Sequence, residues 1–249
     1  MRIDEKKLEL ELAERAVRRA ADLLSNTFSD DARIRSSSGR DIKTEADLEA
    51  EACIIRELAP GGLPIVAEEN SVASVRPPGP YWLVDPLDGT MNFSRGFPIH
   101  GVSVALWNAD GPELGVIFDL GRGQIYRGVV GVGAWCGEQQ IRVSGVSEPG
   151  QAVLATGFPT QRDYSEDALG TFVRRVQAFK KIRMIGSAAL SLALVARGVF
   201  DAYVEEEIML WDVAAGLALV QAAGGYIDVR AGRTLWSVTA AATNGWISA

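Results

Sequence analysis

The chain has 249 residues, 47% of them hydrophobic, enough to bury a substantial core as one large domain or two closely joined ones. Its net charge of −7 argues against a nucleic-acid backbone or an anionic membrane as main partner, and no run of about 18 apolar residues offers a membrane span. A charged, helix-patterned start unlike a signal peptide, with two cysteines (Cys53, Cys136) in no CxxC pair or disulfide framework, makes cytoplasmic residence with reduced thiols the expectation.

From about Asp4 to Phe28, Leu8, Leu12, Val17, Ala20, Ala21 and Leu24 recur at helical spacing among charges, which predicts a long amphipathic helix. Ser36 to Arg40 is small and polar without periodicity and reads as a mobile loop. A second helix is predicted from about Glu45 to Leu58, closed by Pro60-Gly61-Gly62. Thr44 and Asp47 at its start have capping-box spacing. Pro64 to Ala67 reads as a short strand that ends in Glu68, Glu69 and Asn70.

Tyr81 to Val84 reads as a buried strand, and Pro86 is expected to force the chain out of the sheet. The strand empties into Asp85-Pro86-Leu87-Asp88-Gly89-Thr90, placing two carboxylates, a glycine and a hydroxyl at its C-terminal end. Ligand crevices form at such ends, and Gly89 lets backbone approach a phosphate, with the Gly89 and Thr90 amides as donors. Mg²⁺ prefers one or two carboxylates together with phosphate and water, which suits Asp85 and Asp88. Pro, Asp and Gly are equally the residues of an ordinary turn. An aspartyl-phosphate mechanism uses aspartates at i and i+2; the i, i+3 spacing here puts the pair on opposite strand faces and disfavours it.

His100, the single histidine, leaves His-ligated zinc, phosphohistidine and Ser-His-Asp chemistry poorly supported and reads as structural. From His100 to Val143 strands and turns repeat as an antiparallel meander. The second half alternates strands (AVLAT, KIRMI, FDAYV, GYIDV) with helices at about Glu166 to Phe179, Ala188 to Arg197 and Val213 to Ala223, implying helices layered on a second sheet. Asp212 opens the last helix, where a plain N-cap needs no function. No low-complexity linker or internal repeat separates the halves. Taken together, Asp47, Glu68, Asp85, Asp88 and Asp212 would form a cluster stable only if cations or protons compensate, and two or three metals held there would suit phosphoryl transfer.

With IKTEAD, AEEN, WLVDPLDGTMNF, KIRMIGSAAL, FDAYVEEE and LWDVAAGLALVQAAGG following one another in the family's order, the chain resembles the inositol monophosphatase family of Mg²⁺-dependent, lithium-sensitive phosphatases from about Asp4 to Ile247. The expected fold is α+β, a layered αβαβα sandwich with an N-terminal helix pair on an antiparallel sheet and a second, smaller mixed sheet flanked by helices. It forms one phosphatase unit, 1–249. Within it, residues 1–145 would carry most metal ligands and 146–249 would carry Asp212 and the substrate contacts.

The resemblance implies Glu68, Asp85 and the Leu87 carbonyl around a first Mg²⁺, and Asp85, Asp88 and Asp212 around a second, with Glu68 helping hold a third. It also implies Asp47 and Thr90 as the pair that orients and deprotonates the attacking water, Gly89 and Thr90 as phosphate donors, and Gly186, Ala188 and Glu205 against the leaving alcohol. Many relatives carry a lysine in the loop before the second helix; this chain has Ser36.

The activity implied is hydrolysis of a small polyol phosphate, most simply inositol monophosphate, by direct attack of metal-activated water in a homodimer, with no nucleic-acid or membrane partner. Histidinol phosphate, fructose 1,6-bisphosphate and adenosine 3′,5′-bisphosphate are alternatives within the same chemistry, with specificity expected around Thr156 to Pro159 and Glu205. A non-catalytic regulatory protein on the same fold is the alternative from another class.

Overall fold

Helix α1 (Lys7–Thr27) buries Leu10, Leu12, Ala13, Ala16, Val17, Ala20, Ala21 and Leu24, a stripe at three- and four-residue spacing, while Leu8 faces solvent. The computed structural model describes residues 6–27, 34–38, 41–69, 74–158 and 162–248. The expected helix ends Asp4 and Phe28 lie outside these. Of the predicted loop, Ser36 to Ser38 lie instead on β1 (Ile34–Ser38), paired antiparallel with β2 (Asp41–Thr44), while Gly39 and Arg40 lie outside the described residues. Cross-strand pairing, invisible to a search for apolar periodicity, orders this polar segment. Ser36 lies on β1, and its side chain is outside the described part.

Helix α2 (Glu45–Leu58) follows β2 directly and packs on α1. Next come β3 (Ile65–Ala67), β4 (Tyr81–Asp88), the short α3 (Thr90–Ser94), and the meander β5 (Gly101–Asn108), β6 (Gly111–Asp119), β7 (Gln124–Val129), β8 (Gly133–Cys136) and β9 (Gln139–Ile141). These strands form one seven-stranded sheet in chain order, antiparallel except for the parallel β3–β4 pair. The second half supplies β10 (Val153–Thr156), α4 (Glu166–Gln177), β11 (Lys181–Arg183), α5 (Ala188–Ala196), β12 (Ala202–Met209), α6 (Leu210–Ala222), β13 (Tyr226–Ala231) and β14 (Ser237–Thr243). Its sheet runs β11-β10-β12-β14-β13 and is mixed, β11, β10 and β12 being parallel and the remaining pairs antiparallel.

The fold is thus α+β, with two sheets flanked by helices. Alternation along β4 shows the layering: Trp82 and Val84 join the core under α1 and α2, whereas Tyr81 and Leu83 face the core built around α5 and α6. Helix α6 contacts both sheets, and Val176 and Phe179 at the end of α4 pack with Leu154, Ala202 and Val204 of the smaller sheet. Close approach fixes α6 in place. A Cβ on Gly115 of β6 would stand 2.3 Å from the Ala215 carbonyl oxygen, and one on Gly216 would stand 2.3 Å from the Leu192 side chain of α5. Among the described residues no helix is long and apolar enough to cross a membrane.

Two of the element boundaries that differ from the sequence reading shape the site. Pro86 does not end β4; the strand runs to Asp88, with its register against β5 shifting between Asp85 and Asp88. A bulge accommodates a residue that has no N–H to give a ladder. Helix α6 begins at Leu210 directly after β12, so Asp212 is the third residue of its first turn and Met209 holds the N-cap position.

Candidate active site

The bulge in β4 reverses the expected facing of the two aspartates. Asp85 pairs with Ser103 and Asp88 with Gly101, positions two apart on β5 and therefore on one face, so Asp85 and Asp88 also share a face. That face is the one toward α5 and α6. There the carboxylates of Glu68, at the end of β3, Asp85 and Asp212 converge, each offering an oxygen within 4.8 Å of the others. Burial, then the charges of Glu68, Asp88 and Asp212, push Asp85 well above the usual carboxylate range. Asp212 is raised for the same reasons, burial first and then Glu68, Asp88 and Glu205.

Asp88 lies beside this trio and is engaged elsewhere. Its carboxylate sits on the N-terminus of α5, accepting the Ser187 hydroxyl and the Ala188 and Ala189 amides at 3.1 and 3.0 Å. Burial raises it to about 6, and these donors hold it down from higher values.

Asp47 serves as cap and as site residue at once. One carboxylate oxygen accepts the Thr44 amide at 2.6 Å, closing the capping box, while the other lies 3.1 Å from the Thr90 hydroxyl. Burial raises the Asp47 carboxyl, and its bonds to Thr44 and Thr90 oppose the rise. The Thr90 hydroxyl is also 3.0 Å from the Leu87 carbonyl, so its single proton chooses between two acceptors. The Leu87 amide donates to Asp85 at 3.0 Å. Gly89, φ 87°, turns the chain from β4 into α3; a Cβ there would meet the Ile99 carbonyl at 2.9 Å and the Gly186 carbonyl at 3.1 Å. The opening amides of α3 have no intrahelical acceptor.

A cavity of about 370 Å³ opens next to Asp88 and Asp212. Thr156, Gly157, Phe158, Gly186, Ala188 and Glu205 line it, with Met184 and Ile208 adding apolar surface. Pro159 lies outside the described residues. Burial, with Asp88 adding, pushes Glu205 up to about 8, and Tyr203 and Arg162 pull it back. The Arg162 guanidinium is buried against the paired rings of Phe158 and Phe172, 5.2 and 4.7 Å from their centroids, and lies 3.5 Å from Glu206. It braces the wall that carries Phe158.

The donor set fits a hard divalent cation. Three converging carboxylates, Asp85 buried and Glu68 and Asp212 half-buried, repel one another and need positive charge or protons to coexist, and oxygen donors are what Mg²⁺ accepts. Of the positions singled out in the sequence, Glu68, Asp85 and Asp212 form the cluster, Asp88, Gly186, Ala188 and Glu205 line the cavity, and Asp47 connects through Thr90 and Leu87 to Asp85. His100 does not join; its Nδ1 lies 2.9 Å from the Phe97 carbonyl, edge-on to Phe93.

Four positions escaped the sequence reading. Glu51 is fully buried four residues after Asp47, Ser187 precedes a predicted helix as its N-cap, Tyr203 stands two residues before Glu205 on β12, and Asn92 donates to the Ile99 and Ile185 carbonyls at 2.7 and 2.8 Å. For the first three the signal was present as spacing on one face or as capping chemistry.

Residues 6–248 match the profile of the inositol monophosphatase family. The chain belongs to that family. Among its relatives, the inositol-1-monophosphatase of Synechocystis is 35% identical over 219 residues, 83% of this chain and 74% of that protein. The Nus factor SuhB of Xylella fastidiosa is 40% identical over 193 residues, 76% of this chain and 70% of that protein. The solved inositol monophosphatase of Anabaena (Nostoc) superposes with a TM-score of 0.82 at 31% identity, covering 96% of this chain and 92% of that one. Family membership supports a phosphatase, and the acidic cluster is one that can hold metal.

Proposed function

We propose that the protein is a Mg²⁺-dependent phosphomonoesterase that hydrolyses a small polyol phosphate, with inositol monophosphate as the leading substrate. The observation that carries this reading is the convergence of Glu68, Asp85 and Asp212 beside a cavity lined by Glu205. Glu68, Asp85 and the Leu87 carbonyl would hold one ion and Asp85, Asp88 and Asp212 a second, with Glu68 contributing to a third. Mg²⁺ bound there supplies charge neutralisation for the phosphoryl oxygens and makes water a better nucleophile at neutral pH.

The protein's own groups do the rest. Asp47, coupled to Thr90 at 3.1 Å, orients water and accepts its proton. The Gly89 and Thr90 amides receive phosphate oxygens, a role helped by the backbone turn at Gly89. Glu205, Gly186 and Ala188 meet the leaving alcohol from the cavity wall. Glu205 offers oxygens that hydrogen-bond hydroxyls and has no positive charge to receive a second phosphate, so it favours a polyol monophosphate over a bisphosphate. Phosphate release should be measured with Mg²⁺ across inositol monophosphate, histidinol phosphate, fructose 1,6-bisphosphate and adenosine 3′,5′-bisphosphate. Inositol monophosphate is expected to lead, and a ranking led by either bisphosphate would overturn the role given to Glu205.

A second reading is favoured by relatives that carry the name Nus factor SuhB, among them the 40% identical protein of Xylella fastidiosa. On it the same fold serves regulation through a partner without turnover. Calorimetric binding of Mg²⁺ with no hydrolysis of any phosphate in that panel would favour this reading over the first.

A further inference from the structure

Glu51 is a fully buried carboxylate to which the proposed chemistry gives no part. It stands four residues after Asp47 on α2, one turn further along the same helix face. Its Oε2 accepts the amide of Glu69 at 2.8 Å. Glu69 follows Glu68, whose own amide donates to the Val84 carbonyl of β4 at 3.2 Å, next to Asp85. The turn that carries Glu68 is therefore gripped from two sides, by the backbone of β4 and by the side chain of Glu51.

That grip has a physical purpose. Glu68 extends from a turn after a strand of only three residues, and the charges of Asp85 and Asp212 drive it outward. The hydrogen bond that the Glu69 amide donates to the Glu51 carboxyl restrains the backbone at the point where repulsion would displace it. The donor and acceptor are anchored in different elements, so the bond also sets the distance between α2 and the end of β3.

We propose that Glu51 is a positioning residue: it holds Glu68 against Asp85 and Asp212, and it ties this trio to the same helix face that presents Asp47. The inference rests on the reading of the trio as a divalent-cation site. Groups that hold metal ligands in place typically change metal affinity by about 10- to 100-fold when removed.

The test is calorimetric titration of Mg²⁺ into the metal-free full chain, without substrate, for wild type, Glu51→Asp and Glu51→Gln. Thermal melts of each metal-free protein accompany the titrations. Aspartate keeps the carboxyl and withdraws it by one methylene; glutamine keeps the reach and an acceptor oxygen. The expected result is Mg²⁺ binding weakened about tenfold or more in Glu51→Asp and held within about threefold of wild type in Glu51→Gln. Wild-type affinity in Glu51→Asp, with only a lowered metal-free melting temperature, would overturn the proposal and leave Glu51 a structural group. Equal loss in both variants would overturn it as well, since reach would then not be what matters. No Mg²⁺ binding by wild type would remove the underlying cation-site reading itself, an outcome separable from the other two.

Discussion

Asp85, near the end of β4, and Asp212, in the first turn of α6, come from opposite halves of the chain and present carboxylate oxygens within 4.8 Å of each other, Asp85 buried and Asp212 half-buried. Without a cation the pair is a source of instability. The raised carboxyl of Asp85 means that the folded state holds its proton more tightly than the unfolded chain does. Its favourable contribution is complete below the ordinary carboxylate range and is lost as pH rises through the folded value.

Asp85→Asn should therefore stabilise the metal-free protein at pH 8, by about 2–4 °C for each kcal/mol of repulsion relieved. The gap should close toward pH 4, where the wild-type carboxyl is itself neutral. Melting curves in chelator at the two pH values check this. A variant less stable than wild type at pH 8 would show that the cluster is not repulsive.

Thr90→Val removes the hydroxyl that lies between Asp47 and the Leu87 carbonyl while keeping the side chain's shape. On the proposed chemistry kcat falls by about 10²- to 10⁴-fold, Mg²⁺ affinity is unchanged, and Thr90→Ser recovers most of the activity. Steady-state kinetics beside Mg²⁺ calorimetry distinguish this from a fault in the metal site, in which Mg²⁺ affinity would fall with kcat.

Gly89→Ala places a Cβ on a residue at φ 87° and 2.9 Å from the Ile99 carbonyl. The left-handed backbone alone costs about 1–3 kcal/mol, and relief of the contact must shift either the turn or the start of β5. Denaturant unfolding should show at least that loss, with phosphatase activity falling more steeply than stability.

Gly157→Ala tests the cavity wall. Its Cβ would stand 2.6 Å from a Glu205 carboxyl oxygen, so Glu205 must leave the position from which the proposed chemistry has it meet the leaving alcohol. KM for a polyol phosphate is expected to rise about tenfold, with kcat changed by less than about threefold, because the metal and phosphate groups are untouched. A fall in kcat at constant KM would move Glu205 into the chemical step.

Much of this arrangement was legible in the chain before any coordinates. Apolar periodicity marked α1, α2 and the meander, and the acids at element ends marked the site, because strand termini and capping positions are local properties. What escaped was set by pairing between distant segments. The β4 bulge depends on its register with β5, so spacing alone put Asp85 and Asp88 on opposite faces. Strand β14, Ser237–Thr243, lies between β12 and β13, yet its alanine-rich run lacks the bulky β-branched pattern that announces a strand. The β1–β2 hairpin was hidden for the same reason. Glu51 was passed over because a buried glutamate shows only when its partner, the Glu69 amide, is in place.

The central claim is that these acids gather divalent cations to drive phosphate release, and it is tested most directly by measuring phosphate liberated from inositol monophosphate. Wild type and Asp85→Asn should be assayed with Mg²⁺ and with chelator. Wild type is expected to be active only with Mg²⁺, and Asp85→Asn to lose at least about 10²-fold. Phosphate release that persists in chelator, or full activity in Asp85→Asn, would contradict it.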